Sequence, residues 1–192
     1  MFYWNPHSPD NQFFFNDRDP NGVVFTVLYD LQKHERIKTY RYSNQSFGNS
    51  GVCPLGKYFL AINYARMARL RPVTGYKDSY DWTEGLAAPK DDGIAIIDIK
   101  TGKKKVLISF EQMAKGLKMK GFDVEGRNLF INHTLWSRDG QWIYFFIRAG
   151  WKSDKDGREG LNVACTIKVD GNQFVPGPVS YTHLRAHETL IY

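Results

Sequence analysis

The sequence predicts an all-β fold, an incomplete β-propeller of about three four-stranded antiparallel blades with one short inserted helix. Three observations lead there. Residues 132–147 hold an extended run, the polar turn Ser137-Arg-Asp-Gly140 and a second extended run, which is the pattern of a β-hairpin. In that turn Asp139 can bond the backbone ahead of it, and Gly140 can take the positive φ of a tight reversal. The same form recurs at residues 8–15 (Ser-Pro-Asp-Asn-Gln-Phe-Phe-Phe) and 53–60 (Cys-Pro-Leu-Gly-Lys-Tyr-Phe-Leu). With each copy goes a second strand–turn–strand unit, at residues 27–37, 95–106 and 165–175. Two hairpins make a four-stranded antiparallel sheet, and serial repetition of such sheets marks propeller blades. Aromatic residues, 15% of the chain, fall in short runs such as Phe13 to Phe15 and Tyr144 to Phe146, which suits strands.

Blade one is expected over residues 2–42, with 16–22 as the loop between its second and third strands. Blade two runs over 45–108 and is split at the corresponding place by a long insertion, residues 65–92. That insertion shows no sustained period and reads as a loop, kept ordered by Tyr76, Tyr80 and Trp82. A helical insert covers 109–120: Phe110, Met113 and Leu117 share one side, and Ser109 with Gln112 forms a capping box. Blade three occupies 128–178, with a polar middle loop at 152–160. Its strand 142–147 is apolar on both faces and so is expected to be covered on two sides. Three blades fall short of the usual four to eight, so residues 1–178 are expected to be part of a larger propeller.

At 192 residues and 42% hydrophobic, the chain can bury one sizeable core. The net charge of +6 comes largely from Lys100, Lys103 to Lys105, Lys115, Lys118 and Lys120. No stacking aromatics interleave with them, so a solvated hairpin tip and helix are expected, and no nucleic-acid partner. No apolar run approaches a membrane span, so no membrane partner is expected. The start lacks a basic region and a cleavage site, which gives no signal peptide and favours a cytoplasmic location. Cys53 and Cys165 fit neither a disulfide framework nor zinc spacing and read as buried small apolar residues. Residues 179–189 resemble a translated sequencing-library adaptor, so 179–192 are expected to be a non-native tail. The His183 and His187 spacing is then no metal site.

The Ser-x-Asp-Gly hairpins and the Asp98-Ile-Lys-Thr-Gly-Lys103 turn resemble those of the TolB-type, WD40-like β-propellers of bacteria. The segments Phe15-Asn-Asp-Arg-Asp19, Arg69-Leu-Arg-Pro72, Gly75-Tyr76, Asp91-Asp-Gly-Ile94 and Asn132-His133 resemble an uncharacterised, carbohydrate-associated propeller family. A more distant resemblance is to oligogalacturonate lyase, in which channel-mouth histidines and a glutamine hold a divalent metal. Only His133 falls on a matching position.

What the resemblances imply is a carbohydrate-associated binding module, with an oligosaccharide or uronate as ligand. The alternatives are a metal-dependent lyase of uronate oligosaccharides, which would take a divalent metal, and a protein-interaction scaffold. His133 is expected on the strand nearest the axis, sharing a face with Leu135 while Asn132 and Thr134 share the other. There it is either a structural histidine or a metal and sugar contact. Arg18 either meets a ligand carboxylate or ties down a turn beside Asp17 and Asp19. Arg66, Arg69 and Arg71 form either an anionic pocket or a solvated rim, with Tyr76 close by in sequence. The ligand-binding candidates are thus His133, Arg18, Arg69, Arg71 and Tyr76, and His133 is also the metal candidate. Nothing resembles a phosphate-cradling glycine loop, a G-x-S-x-G elbow or a Cys/His pair.

Overall fold

In a computed structural model, residues 2–151 and 157–177 are described; the expected tail at 179–192 and residues 152–156 of the polar loop lie outside them. The chain forms three four-stranded antiparallel sheets, each taken in chain order. Sheet one holds β1 (Phe2–Trp4), β2 (Gln12–Arg18), β3 (Val24–Asp30) and β4 (Glu35–Tyr40). Sheet two holds β5 (Phe47–Val52), β6 (Tyr58–Asn63), β7 (Gly93–Asp98) and β8 (Lys104–Ser109), with α1 (Tyr64–Leu70) opening the insertion after β6. After α2 (Phe110–Met119), sheet three holds β9 (Phe130–Trp136), β10 (Trp142–Ala149), β11 (Leu161–Lys168) and β12 (Val175–Pro176).

The turn chemistry read from the sequence is present. Between β9 and β10, the Gly140 amide donates to the Ser137 carbonyl at 3.0 Å, the Gln141 amide donates to Asp139, and Gly140 sits at φ 67°. In each of the three turns an amide closes the hairpin on the first residue of the next strand: Asn5 on Gln12, Cys53 on Tyr58, Ser137 on Trp142. This puts Gln12, Tyr58 and Trp142 in register as equivalent positions of three repeats.

Two apolar layers stack the sheets. Phe14, Leu28 and Tyr40 of sheet one meet Phe59, Ala61, Ala95 and Ile97 of sheet two. The other face of sheet two, with Leu60, Ile62, Ile94 and Ile96, meets Ile143, Phe145 and Ile147 of sheet three. α2 adds Phe110, Met113 and Leu117 to this second layer, and burying each such side chain is worth about 1.5–3 kcal/mol. Its capping box is formed: the Ser109 hydroxyl accepts from the Gln112 amide, and the Gln112 side chain accepts from the Ser109 amide.

The described residues hold two helices rather than the one expected, because the insertion at 65–92 is not all loop. Asn63 caps α1 by accepting from the Arg66 amide at 2.9 Å, and the segment is rich in good helix formers. Its burial runs nearly all the way round, with only Ala68 and Arg69 partly exposed, so no amphipathic stripe announces it.

Candidate functional site

The insertion is folded back onto α1 by a buried polar cluster. Arg66, 1% exposed, donates from Nε to the Leu129 carbonyl at 2.6 Å and from its two terminal nitrogens to Leu86, Ala87 and Thr83. Its guanidinium also lies 4.9 Å from the Phe110 ring centre. Asn63 donates from Nδ2 to Asp81 and to Asp92, each at 2.9 Å. Asp81 also accepts from the Thr83 amide and hydroxyl and pairs with Arg69 at 2.9 Å.

These neighbours set the two carboxyls apart. Burial pushes Asp92 up to about 7, against the hydrogen bonds from Asn63 and Gly93 and the charge of Arg66. Burial also pushes Asp81 upward, but hydrogen bonds from Thr83, Arg69 and Asn63 outweigh it and hold the group below its ordinary value.

Behind α1 this arrangement leaves a cleft of about 390 Å³, lined by Arg69, Tyr76, Lys77, Ser79, Asp81 and Glu84 among others. Tyr76 stands edge-on to Tyr64, with ring centres 5.3 Å apart. Arg18, at the end of β2, donates to the Lys77 carbonyl and so reaches the same rim from sheet one. Arg18 therefore ties two segments together, while the flanking acids are paired elsewhere, Asp17 with Arg36 at 2.7 Å and Asp19 with Arg41.

The other two candidates lie apart from the cleft. Arg71 sits over the Trp151 ring at 4.7 Å, and Arg148 lies between Trp151 and Phe146. His133 is exposed and edge-on to Phe146, with ring centres 6.4 Å apart. Its expected setting is corrected by a β-bulge: Thr134 pairs with Phe145 and Asn132 with Phe146, leaving His133 as the extra residue at φ 59°. Asn132 and Thr134 thus lie on opposite faces rather than sharing one. Among the described residues, no group of three or more His, Cys, Asp or Glu side chains is placed to hold a metal ion.

The five candidates hence divide into Arg18, Arg69 and Tyr76 around the cleft, and Arg71 and His133 on an aromatic strip of sheet three. Sequence reasoning missed the roles of Asn63, Asp81, Thr83 and Asp92, and of Trp151. The one available signal was the paired Asp91-Asp92 before Gly93.

The chain matches no family model and no curated protein. Among solved structures it is similar to hydrazine synthase of Kuenenia stuttgartiensis, with 14% identity and a TM-score of 0.54 over 93% of this chain. The fold is an incomplete β-propeller. The chain spans 41% of that hydrazine synthase chain. Two further likenesses are to the tricorn protease (14% identity, TM-score 0.48, 87% of this chain and 12% of that one) and to TolB from Acinetobacter baumannii (13%, 0.26, 93% and 55%). The three sheets are then blades, with β5 and β9 the first strands of blades two and three. The cleft belongs to the insertion of blade two, and the aromatic strip to the open face of blade three.

Proposed function

We propose that this chain is a carbohydrate-binding propeller module, with the cleft behind α1 as its sugar site. The observation that carries the reading is Ser79. Its hydroxyl oxygen is buried in a residue that lines the cleft and has no hydrogen-bond partner among the described residues. Buried polar atoms in folded proteins are nearly always satisfied, so this enclosed hydroxyl marks the cleft wall as a place short of a partner. Around it Arg69 and Lys77 offer donors while Asp78, Asp81 and Glu84 offer acceptors, a mixture that suits hydroxyls, which both donate and accept. Tyr76 supplies a ring wall, and the volume falls within the range of small-ligand clefts.

The same lining weighs against an acidic sugar. Asp78, Asp81 and Glu84 stand against Arg69, Lys77 and the rim residue Arg18, and Arg69 is already paired with Asp81, so the cleft offers a uronate no surplus of positive charge. A neutral oligosaccharide is the better occupant, and the metal-dependent lyase reading has less support. Calorimetric titration with neutral oligosaccharides and with an oligogalacturonide tests this. Binding of a neutral sugar, weakened about tenfold by Tyr76→Ala, is the expected result. Silence towards both ligand classes would refute the reading, and cleavage of the oligogalacturonide in the presence of a divalent metal would replace it with the lyase.

A further inference from the structure

The far wall of the cleft is fastened at two points. At one, the Tyr80 amide donates to the Gly22 carbonyl of blade one at 2.8 Å. At the other, Arg66 donates to the carbonyls of Leu86 and Ala87 at 2.9 and 2.6 Å. Between them lie Asp81, Trp82, Thr83 and Glu84, a stretch without helix or strand that lines the cleft through Asp81 and Glu84. This stretch is held against α1 by one bridge. Nδ2 of Asn63 donates to both Asp81 and Asp92, and the Thr83 hydroxyl, which donates to Asp81 at 2.7 Å, stands 3.4 Å from Asp92. The enclosed Trp82 Nε1 has no hydrogen-bond partner among the described residues, so the closed position leaves a donor unmatched while its ring packs on Phe47.

Two carboxylates on one bridge repel each other, so the bridge is strongest while one of them keeps a proton. Asp81 is the ionised member, because Arg69 pairs with it, and the fully buried Asp92 is the one that keeps the proton. The charged groups facing Asp92 are Arg66 of α1, Asp81 of the insertion and Lys104 of β8, which acts on the neighbouring Asp91 as well. We propose that Asp92 is a proton latch for this wall: protonated, it keeps residues 81–84 against α1, and ionised, it lets them lift. The sugar reading is touched only through Asp81 and Glu84, which would travel with the wall. Once the stretch lifts, Asp92 meets water and returns from about 7 to its ordinary 3.8. The lifted form is therefore favoured about tenfold more with each pH unit from about 4 to about 7, and no further above. Asp81, held below its ordinary value, titrates beneath that window.

Amide hydrogen exchange read by mass spectrometry tests the latch without any ligand, so a silent sugar titration would leave it standing. The peptide covering residues 81–86 is followed against pH, with each rate divided by that of unstructured chain at the same pH. In the wild type its protection should fall about tenfold per unit through the window and then level, while staying well below that of strand β10. Asp92→Asn should give protection that does not change with pH. A second measurement needs no variant: the infrared band of a protonated carboxyl should be present at about pH 6 and lost at about pH 8. If Asp92→Asn does not fold, the wild-type profile and this band decide. Protection in the wild type that is flat with pH overturns the latch, as does the same slope in Asp92→Asn or a spectrum without the band. Equal protection of residues 81–86 and β10 overturns it too, because only whole-chain unfolding would then expose Asp92.

Discussion

The Nε of Arg66 donates to the carbonyl oxygen of Leu129 at 2.6 Å, so a side chain of blade two's insertion holds the backbone at the entry to blade three. The guanidinium is fully enclosed, and its terminal nitrogens donate to the Thr83 hydroxyl and to carbonyls of residues 83–87.

Replacing that group should therefore be costly. Arg66→Ala removes the donors and strands several buried carbonyls, and a loss of about 3–5 kcal/mol in urea unfolding is expected. Arg66→Lys should recover little, because one ammonium cannot reproduce the planar fork. A variant within about 1 kcal/mol of wild type would show that the cluster is not a structural tie.

Asp92 should make the protein less stable as pH rises towards neutrality. Its folded pKa of about 7 lies above the unfolded 3.8, so the folded state binds the extra proton between those values. The contribution is fully present below about pH 4, falls through the window from 4 to 7, and is flat above it. Its size is on the order of 4 kcal/mol. Asp92→Asn should flatten the midpoint of thermal unfolding across that window. An unchanged slope in the variant would assign the titration elsewhere.

Gly75 is needed where the insertion crosses α1. It sits at φ 84°, and a Cβ there would stand 2.5 Å from the Tyr64 carbonyl oxygen and 2.7 Å from the Ala68 nitrogen. Gly75→Ala should cost more than about 1 kcal/mol and displace Tyr76 from the cleft. Stability and sugar affinity should fall together; an affinity left intact would place the ligand elsewhere.

Ser109→Ala removes the hydroxyl arm of the α2 capping box, leaving the arm from the residue-109 amide to Gln112, and should lower stability by about 1 kcal/mol without affecting sugar binding. Comparing unfolding midpoints with titrations on the same variant separates the two effects.

The repeat was legible because turn chemistry is local. Ser137, Asp139 and Gly140 announce their hairpin, as Asp98, Thr101 and Gly102 announce theirs, with the Thr101 amide donating to Asp98. The α2 cap was legible for the same reason. α1 was not, because its seven residues are enclosed on nearly every side and leave no period to read. His133 kept its strand but lost its expected face, since one extra residue in a ladder shifts orientation without changing composition. Arg66 was weighed as a rim or pocket residue, because nothing within a few positions reveals that its partners lie as far off as Leu129. Cleft residues are scattered from Ala65 to Glu84 in a segment without regular structure after α1, and only folding gathers them.

The span between Arg66 and Leu129 also sets an order of events during synthesis. Sixty-three residues separate them, so a ribosome making about 5–20 residues per second takes roughly 3–13 seconds to supply the acceptor after the donor. Until then the guanidinium of Arg66 lacks the counterpart for one of its bonds. A stall or cleavage late in that interval, once Ser109 has been made, leaves a species that chaperones and proteases would recognise by its open insertion, although every strand of the second blade is present.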